Sequence, residues 1–325
     1  MPSLFKDTTI TLFEGEEHEL KLLYIPSGRF RMGSRGGNSD EEPRHWVEIT
    51  EPFWLGETPV TQAQYAELVK LSGAGLDKFP SHFKPPQYTK DLRRPVENVS
   101  WDDCQSLLEH LRENSSLSAG RKLPDSYHLC LPTEAQWEYT CRAGTETDYY
   151  SGDGEAALAE VGWFLKNSGH QTHPVKEKRP NTYDLHDLHG NVWEWCMNKW
   201  GNKWSDQNET YTKHGYITMN PNEQDCGGRD ARRVLRGGSW YYSAELCRSA
   251  LRSWCPPGGR DWFSGVRLCL SSGPVKNNQA SVGPEDAEAE DSADPASGGA
   301  EAPTNLGSED PFARMKPPRS GSQKF

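Results

Sequence analysis

Only three stretches of this 325-residue chain keep a helical period, and 30 glycines and 23 prolines interrupt the rest every few residues. Such a chain cannot build a helix bundle or a barrel of long strands; its pattern predicts an irregular α+β domain of short elements. The first helix is announced by Thr61-x-x-Gln64, a capping box, with Tyr65, Ala66, Leu68 and Val69 on its apolar face. The second begins at Ser100, with Asp103 three residues on and Cys104, Leu107, Leu108 and Leu111 forming an amphipathic stripe. The third runs from Thr133, with Gln136 at the capping-box position, through Trp137 and Tyr139 to Gly144, a residue suited to a left-handed stop. Lys21–Ile25 and Phe30–Met32 around Pro26-Ser27-Gly28 read as a hairpin, and Arg232–Leu235 and Val266–Leu270 as further short strands. Between Thr145 and Pro180 no long periodic element is expected.

Composition narrows the function classes. The formal charge is −11, and Lys and Arg are not clustered, which argues against a nucleic-acid or anionic-membrane partner. No apolar run approaches the roughly 20 residues that span a bilayer. Met1 to Leu23 lacks a basic segment followed by an apolar stretch, so no secretory signal is expected and a cytoplasmic, reducing location follows. The eight cysteines show no CxxC pair, and Cys104, Cys130, Cys141 and Cys196 are expected to be packed as small hydrophobes. After Leu270 the composition turns to Ala, Ser, Gly, Pro, Asp and Glu. Two regions are therefore expected: a folded domain over 1–270 and a disordered acidic tail over 271–325.

A series of motifs then appears in order. Ile25-Pro26-Ser27-Gly28-Arg29-Phe30-Arg31-Met32-Gly33-Ser34 is followed by Pro95-Val96-Glu97-Asn98-Val99-Ser100-Trp101 and Leu131-Pro132-Thr133-Glu134-Ala135-Gln136-Trp137-Glu138-Tyr139. His189-Gly190-Asn191-Val192-Trp193-Glu194-Trp195, Arg236-Gly237-Gly238-Ser239-Trp240 and Gly265-Val266-Arg267-Leu268 complete the series. Together they resemble the formylglycine-generating enzyme (sulfatase-modifying factor) family over roughly Leu22 to Leu270. The resemblance implies a variant of the C-type-lectin-like fold, low in regular secondary structure.

It also implies two kinds of metal chemistry. Asp187, Gly190, Val192 and Glu194 fall where family members wrap a calcium ion, and Ca²⁺ takes 6–8 oxygens from carboxylates and carbonyls. Calcium is therefore an expected cofactor; the alternative is that Glu194 pairs with an arginine of the core. The family's oxidases hold Cu(I) between two cysteines five positions apart. Here the second falls on Cys247, a remnant catalytic position, but the first is Tyr242. Cu(I) is soft and selects sulfur, whereas a phenol with a pKa near 10 is a hard, mostly protonated donor. Copper is not expected.

Trp193 and Ser239 match residues that border the family's substrate cleft. From Trp240 to Phe263 the chain is dense in aromatics and arginines, the residue types enriched at binding hot spots. Trp193, Ser239, Trp240, Tyr242, Arg248, Arg252 and Trp262 are the expected ligand-binding residues. The reading is a protein- or peptide-binding or accessory module. One alternative is a copper-dependent oxidase converting a sulfatase cysteine to formylglycine. Another is a ligand-binding variable protein of a diversity-generating retroelement, which uses the same fold.

Overall fold

The computed structural model describes residues 9–12, 18–88, 91–113, 127–201, 216–218 and 231–272. Its helices are α1 (Gln62–Ser72), α2 (Trp101–Glu113), α3 (Glu134–Arg142) and α4 (Gly154–Val161). The capping signals act as local chemistry requires. Thr61 and Gln64 exchange side-chain and backbone bonds at the start of α1, as Thr133 and Gln136 do at α3. At α2 the Ser100 amide donates to Asp103 Oδ2 at 2.9 Å and the Asp103 amide to Ser100 Oγ at 3.0 Å. Each pair satisfies amide groups that the first helical turn leaves without intrahelical partners. The stripe of Cys104, Leu107, Leu108 and Leu111 is buried.

Two local expectations are corrected and one is refined. The left-handed stop of α3 falls on Ala143, whose amide donates to Tyr139 O at 3.1 Å, one residue before Gly144. The interval expected to lack a long periodic element holds only the short helix α4 among its described helices, with Leu158 and Val161 buried. Lys21–Ile25 and Gly28–Met32 do not form a hairpin. The first pairs with Phe53–Gly56 and the second with His45–Ile49, so Pro26-Ser27 carries the chain between sheets.

Four small sheets organise the domain. One has five strands in the order Ile10–Thr11, Lys21–Ile25, Phe53–Gly56, Cys269–Ser272, Tyr127–Cys130, so the last described strand lies between two elements from much earlier in the chain. That strand runs to Ser272, and the rest of the expected tail lies outside the described residues. A second sheet has four strands in the order Arg252–Cys255, Arg233–Arg236, Trp193–Lys199 and Ser264–Gly265. The core between these layers contains Ile25, Phe53, Leu55, Trp137, Leu188 and Val234. All seven described cysteines are buried and free, including Cys104, Cys130, Cys141 and Cys196.

Helix α3 builds the polar part of the core. Glu134 and Glu138 stand one turn apart, and four-residue spacing places both on one helix face. Glu134 binds Arg252 through Nε at 2.7 Å and Nη2 at 2.9 Å. Glu138 pairs with Arg142 at 2.8 Å and also with Arg236, and accepts the Gly33 amide at 2.9 Å. Burial pushes the Glu138 carboxyl up, but Arg142 and Arg236 pull it further down, and it stays ionised below the usual carboxylate range. No described helix is long and apolar enough to cross a membrane.

Candidate functional site

The Arg236–Arg248 segment enters the site from the strand Arg233–Arg236 and immediately turns. Gly238 has φ +74°, and a Cβ there would collide with Cys247 Sγ and Leu246 O, so glycine is needed both for conformation and for space. Ser239 completes the turn: its carbonyl accepts the Tyr242 amide at 3.1 Å and its hydroxyl the Tyr241 amide at 3.3 Å. It is fully buried, so the structure makes it a turn former and not an exposed wall residue.

Cys247 and Tyr242 sit in different surroundings. Cys247 is buried with Tyr149, Leu158, Val161, Phe164 and Ala244. Burial pushes its thiol up to about 12, with the Ser239 amide partly opposing. A thiol in that state is neither a good nucleophile nor a ready metal ligand. The imidazole of His189 braces the same turn. Its Nε2 accepts the Tyr150 amide at 3.2 Å, leaving Nδ1 to donate to Cys247 O at 2.8 Å. Burial drives His189 down to about 4, so it stays neutral across the physiological range.

Tyr242 belongs instead to a continuous aromatic network. It meets Trp193 edge-on at 5.6 Å and Phe263 at 5.5 Å. Tyr241 stacks on Phe263 at 6.0 Å and meets Trp240 at 5.2 Å. Trp240 is held by its indole N–H on Trp262 O at 2.9 Å and meets Phe83 at 5.2 Å and 90°. His82 lies flat on Trp262, 3.9 Å between ring centres and 9° between planes, and touches Tyr88 at 4.8 Å. Burial raises the Tyr242 phenol well above its ordinary value, so it is protonated and offers no anionic oxygen to a metal.

The network divides by exposure. Trp193, Trp240 and Tyr242 form its buried base, while Tyr241, Trp262, Phe263 and His82 are half-buried and Tyr88 is 47% exposed. The sequence placed Trp262 in the site but not His82 or Tyr88, which arrive from the distant loop after α1. A signal was present in Phe79-Pro80-Ser81-His82-Phe83-Lys84-Pro85-Pro86-Gln87-Tyr88, a second aromatic and proline-rich run.

Arg248 and Arg252, expected on the same wall, are not brought to it. Arg248 binds Glu41 through both terminal nitrogens at 2.6 and 3.0 Å. Arg252 is committed to Glu134 and donates to Asp40 O at 2.9 Å. The buried charge of Arg252 is retained because it is paired and so serves the core, while the half-buried Arg248 is tied to the buried Glu41.

The expected calcium residues lie together, but the carboxylate oxygens of Asp187 and Glu194 are engaged. Asp187 Oδ2 accepts the Lys176 amide at 2.9 Å and Oδ1 the Asn191 amide nitrogen at 3.1 Å. Gly190 adopts φ +77° against the Trp163 backbone, and Val192 is fully buried. Glu194 accepts Arg267 Nη2 at 2.8 Å and Trp137 Nε1 at 2.7 Å. A carboxylate saturated by a guanidinium and an indole does not present a free oxygen to Ca²⁺. As folded, the set of Asp187, Gly190, Val192 and Glu194 does not fit the ion. Among the described residues no three His, Cys, Asp or Glu side chains converge as a metal site.

The sulfatase-modifying factor enzyme 1-like domain matches residues 11–272. The chain belongs to that family. It is 28% identical to a formylglycine-generating enzyme of Streptomyces coelicolor, covering 79% of this chain and 90% of the relative. It is 31% identical to the formylglycine-generating enzyme of Mycobacterium tuberculosis, covering 72% and 92% respectively. Among solved structures, Treponema denticola variable protein 1 superposes with a TM-score of 0.62 at 29% identity, over 81% of this chain and 98% of that one. The sulfatase-modifying factor fold is thus shared with proteins whose names point to different functions.

Proposed function

We infer that this member of the sulfatase-modifying factor family is a binding or accessory module, with a protein or peptide as its ligand. The contact surface is the half-exposed row Tyr88, His82, Trp262, Tyr241 and Phe263. The observation that carries this reading is that the first copper-site position holds the phenol of Tyr242, packed among aromatic rings, while the Cys247 thiol is buried in a separate apolar cluster. Two thiolates are what Cu(I) requires, and this pair offers a single sulfur, withdrawn into an apolar cluster. Cys255 offers no substitute: it is buried in the strand Arg252–Cys255, packed beneath Gly259.

What remains is a row of rigid aromatic faces on a fixed base. Trp and Tyr give large contact area while few torsions are ordered, which is why they dominate binding hot spots. The likeness to a variable protein supports the same reading, because the aromatic surface here is built mainly from one continuous stretch, Trp240 to Phe263.

The test is equilibrium binding of a peptide library to the full-length chain, with affinities then remeasured on two variants. Trp262→Ala is expected to weaken selected peptides at least about tenfold, or 1.4 kcal/mol. Cys247→Ser is expected to leave folded-state affinity unchanged. Peptides that bind Trp262→Ala as tightly as the parent protein would remove this surface from the account.

A further inference from the structure

Among the described residues, buried arginines have partners that explain their burial, with one exception. Arg142, Arg236, Arg252 and Arg267 each bond a buried glutamate, and Arg233 lies over the Trp101 ring at 3.9 Å. Arg94 is only 8% exposed, yet its single side-chain hydrogen bond runs from Nη1 to Thr172 Oγ1 at 3.5 Å, the long limit of such a bond. Its Nε has no partner. Asp91 is engaged by Arg93 at 2.6 Å, and Glu177 faces His173 at 3.7 Å, so neither carboxylate contacts the Arg94 guanidinium. Burial holds the Arg94 pKa below its ordinary value against the opposing pull of Asp91 and Glu177.

Its position ties this charge to the aromatic surface. Arg94 lies between two segments that both pack on Trp240: its carbonyl accepts the Gln62 amide at 2.9 Å and Gln62 Nε2 donates to Phe83 O at 2.9 Å, while its Nη1 donates to Thr172 Oγ1. One contains Phe83, which meets the indole edge-on. The other contains Ser168, whose hydroxyl donates to Trp240 O at 2.8 Å. Thr172 and His173 continue that second segment. His173 stacks on Trp163 at 3.8 Å and 12°, with Nε2 on Ser168 O at 2.6 Å. Burial first, and then the charges of Arg94 and Lys178, lower the His173 imidazole below its ordinary value. The ring is thus held towards its neutral form by two nearby cations, Arg94 and Lys178.

An unpaired guanidinium withdrawn from water destabilises a fold unless something completes its hydrogen bonds. Its planar fork of donors matches a two-oxygen anion better than any other group. We propose that Arg94 is an oxyanion-recognition site beside the aromatic surface, taking a carboxylate of the bound peptide. This rests on the binding-module reading and adds to it a charge requirement: the ligand presents an acid a short reach from its contact with Trp262.

The test uses the full-length chain and succinate as the probe, with inorganic phosphate as the comparison, both at constant ionic strength. Succinate is expected to raise the melting temperature of the parent protein saturably, and Arg94→Met and Arg94→Gln to abolish that rise. Without ligand, the two variants are expected to melt at or above the parent temperature, since each removes an unpaired buried charge. A response to phosphate alone, lost in both variants, would keep the oxyanion site and assign it to a phosphate ester. Equal responses in parent and variants, no response in the parent, or ligand-free variants melting well below it would overturn the proposal. Trp262→Ala separates the two claims: it is expected to lose peptide affinity while keeping the succinate response.

Discussion

Arg267 and Glu194 form a bidentate pair inside the core, with Nη2 on Oε1 at 2.8 Å and Nε on Oε2 at 2.9 Å. The same guanidinium donates to His186 O at 2.7 Å and Gly56 O at 2.8 Å, so it braces the loop that holds Asp187. A fixed cation therefore already balances the charge that a calcium ion would balance. Chelation with EGTA, or addition of millimolar Ca²⁺, is expected to leave the melting temperature unchanged. A fall of several degrees on chelation, restored by Ca²⁺, would contradict this arrangement. Arg267→Met is expected to cost about 3–5 kcal/mol in denaturant unfolding, because it strands a buried carboxylate.

Arg252 gives a prediction that separates core from surface. Its bonds run to Glu134 and not to the aromatic row. Arg252→Ala is expected to lower stability by about 3–5 kcal/mol. Refolded or low-temperature protein should still bind the peptides selected by the parent. Lost affinity with an unchanged denaturant midpoint would return Arg252 to the binding surface.

Cys247 is expected to be chemically silent. Its thiol, raised to about 12 and fully buried, should resist iodoacetamide at pH 8 in the native state and react only on unfolding. Gly238→Ala should disturb this packing, since the new methyl group meets Cys247 Sγ and Leu246 O. The expected result is a loss of about 1–3 kcal/mol in stability, together with faster native-state labelling. Rapid labelling of the parent protein would show a thiol more open than the fold provides.

Glu97 sets the alkaline side of the stability curve. Burial raises its carboxyl to about 8; the Phe83 and His82 amides oppose the shift, and Asp261 adds to it. Its Oε1 accepts the Phe83 amide at 2.9 Å and so ties down the aromatic loop. The folded state holds a proton that the unfolded chain has released above its ordinary carboxylate pKa. Stability from this group is therefore full below that pKa and declines as pH rises towards 8. Between pH 7.5 and 8.5, where His189 is neutral in the folded state and nearly so in the unfolded chain, the parent should lose about 0.5–1 kcal/mol. Glu97→Gln should flatten that slope. Parallel curves for the two proteins would show that Glu97 is ionised in the fold.

Local chemistry was legible in the sequence and long-range pairing was not. Thr61–Gln64, Ser100–Asp103 and Thr133–Gln136 announced their helices because a cap is decided within four residues. The family motifs led to the fold because they fix turns such as Gly237-Gly238-Ser239. Pro26-Ser27-Gly28 misled because a turn signal does not say whether its flanking strands meet each other or other partners. Arg248 and Arg252 misled for the same reason: their partners Glu41 and Glu134 lie more than 100 residues away. His82 reaches Trp262 across a similar distance and brings Tyr88 with it, and Arg94 is informative only because its partner is missing, which a sequence does not display.

Titration of the reduced full-length protein with Cu(I) in the presence of a competing chelator tests the central claim most directly. With Tyr242 protonated and Cys247 sealed in an apolar cluster, the chelator is expected to keep the copper, and Cys247→Ser is expected to change nothing. Tight one-to-one binding abolished by Cys247→Ser would contradict the claim and return this chain to the copper oxidases of its family.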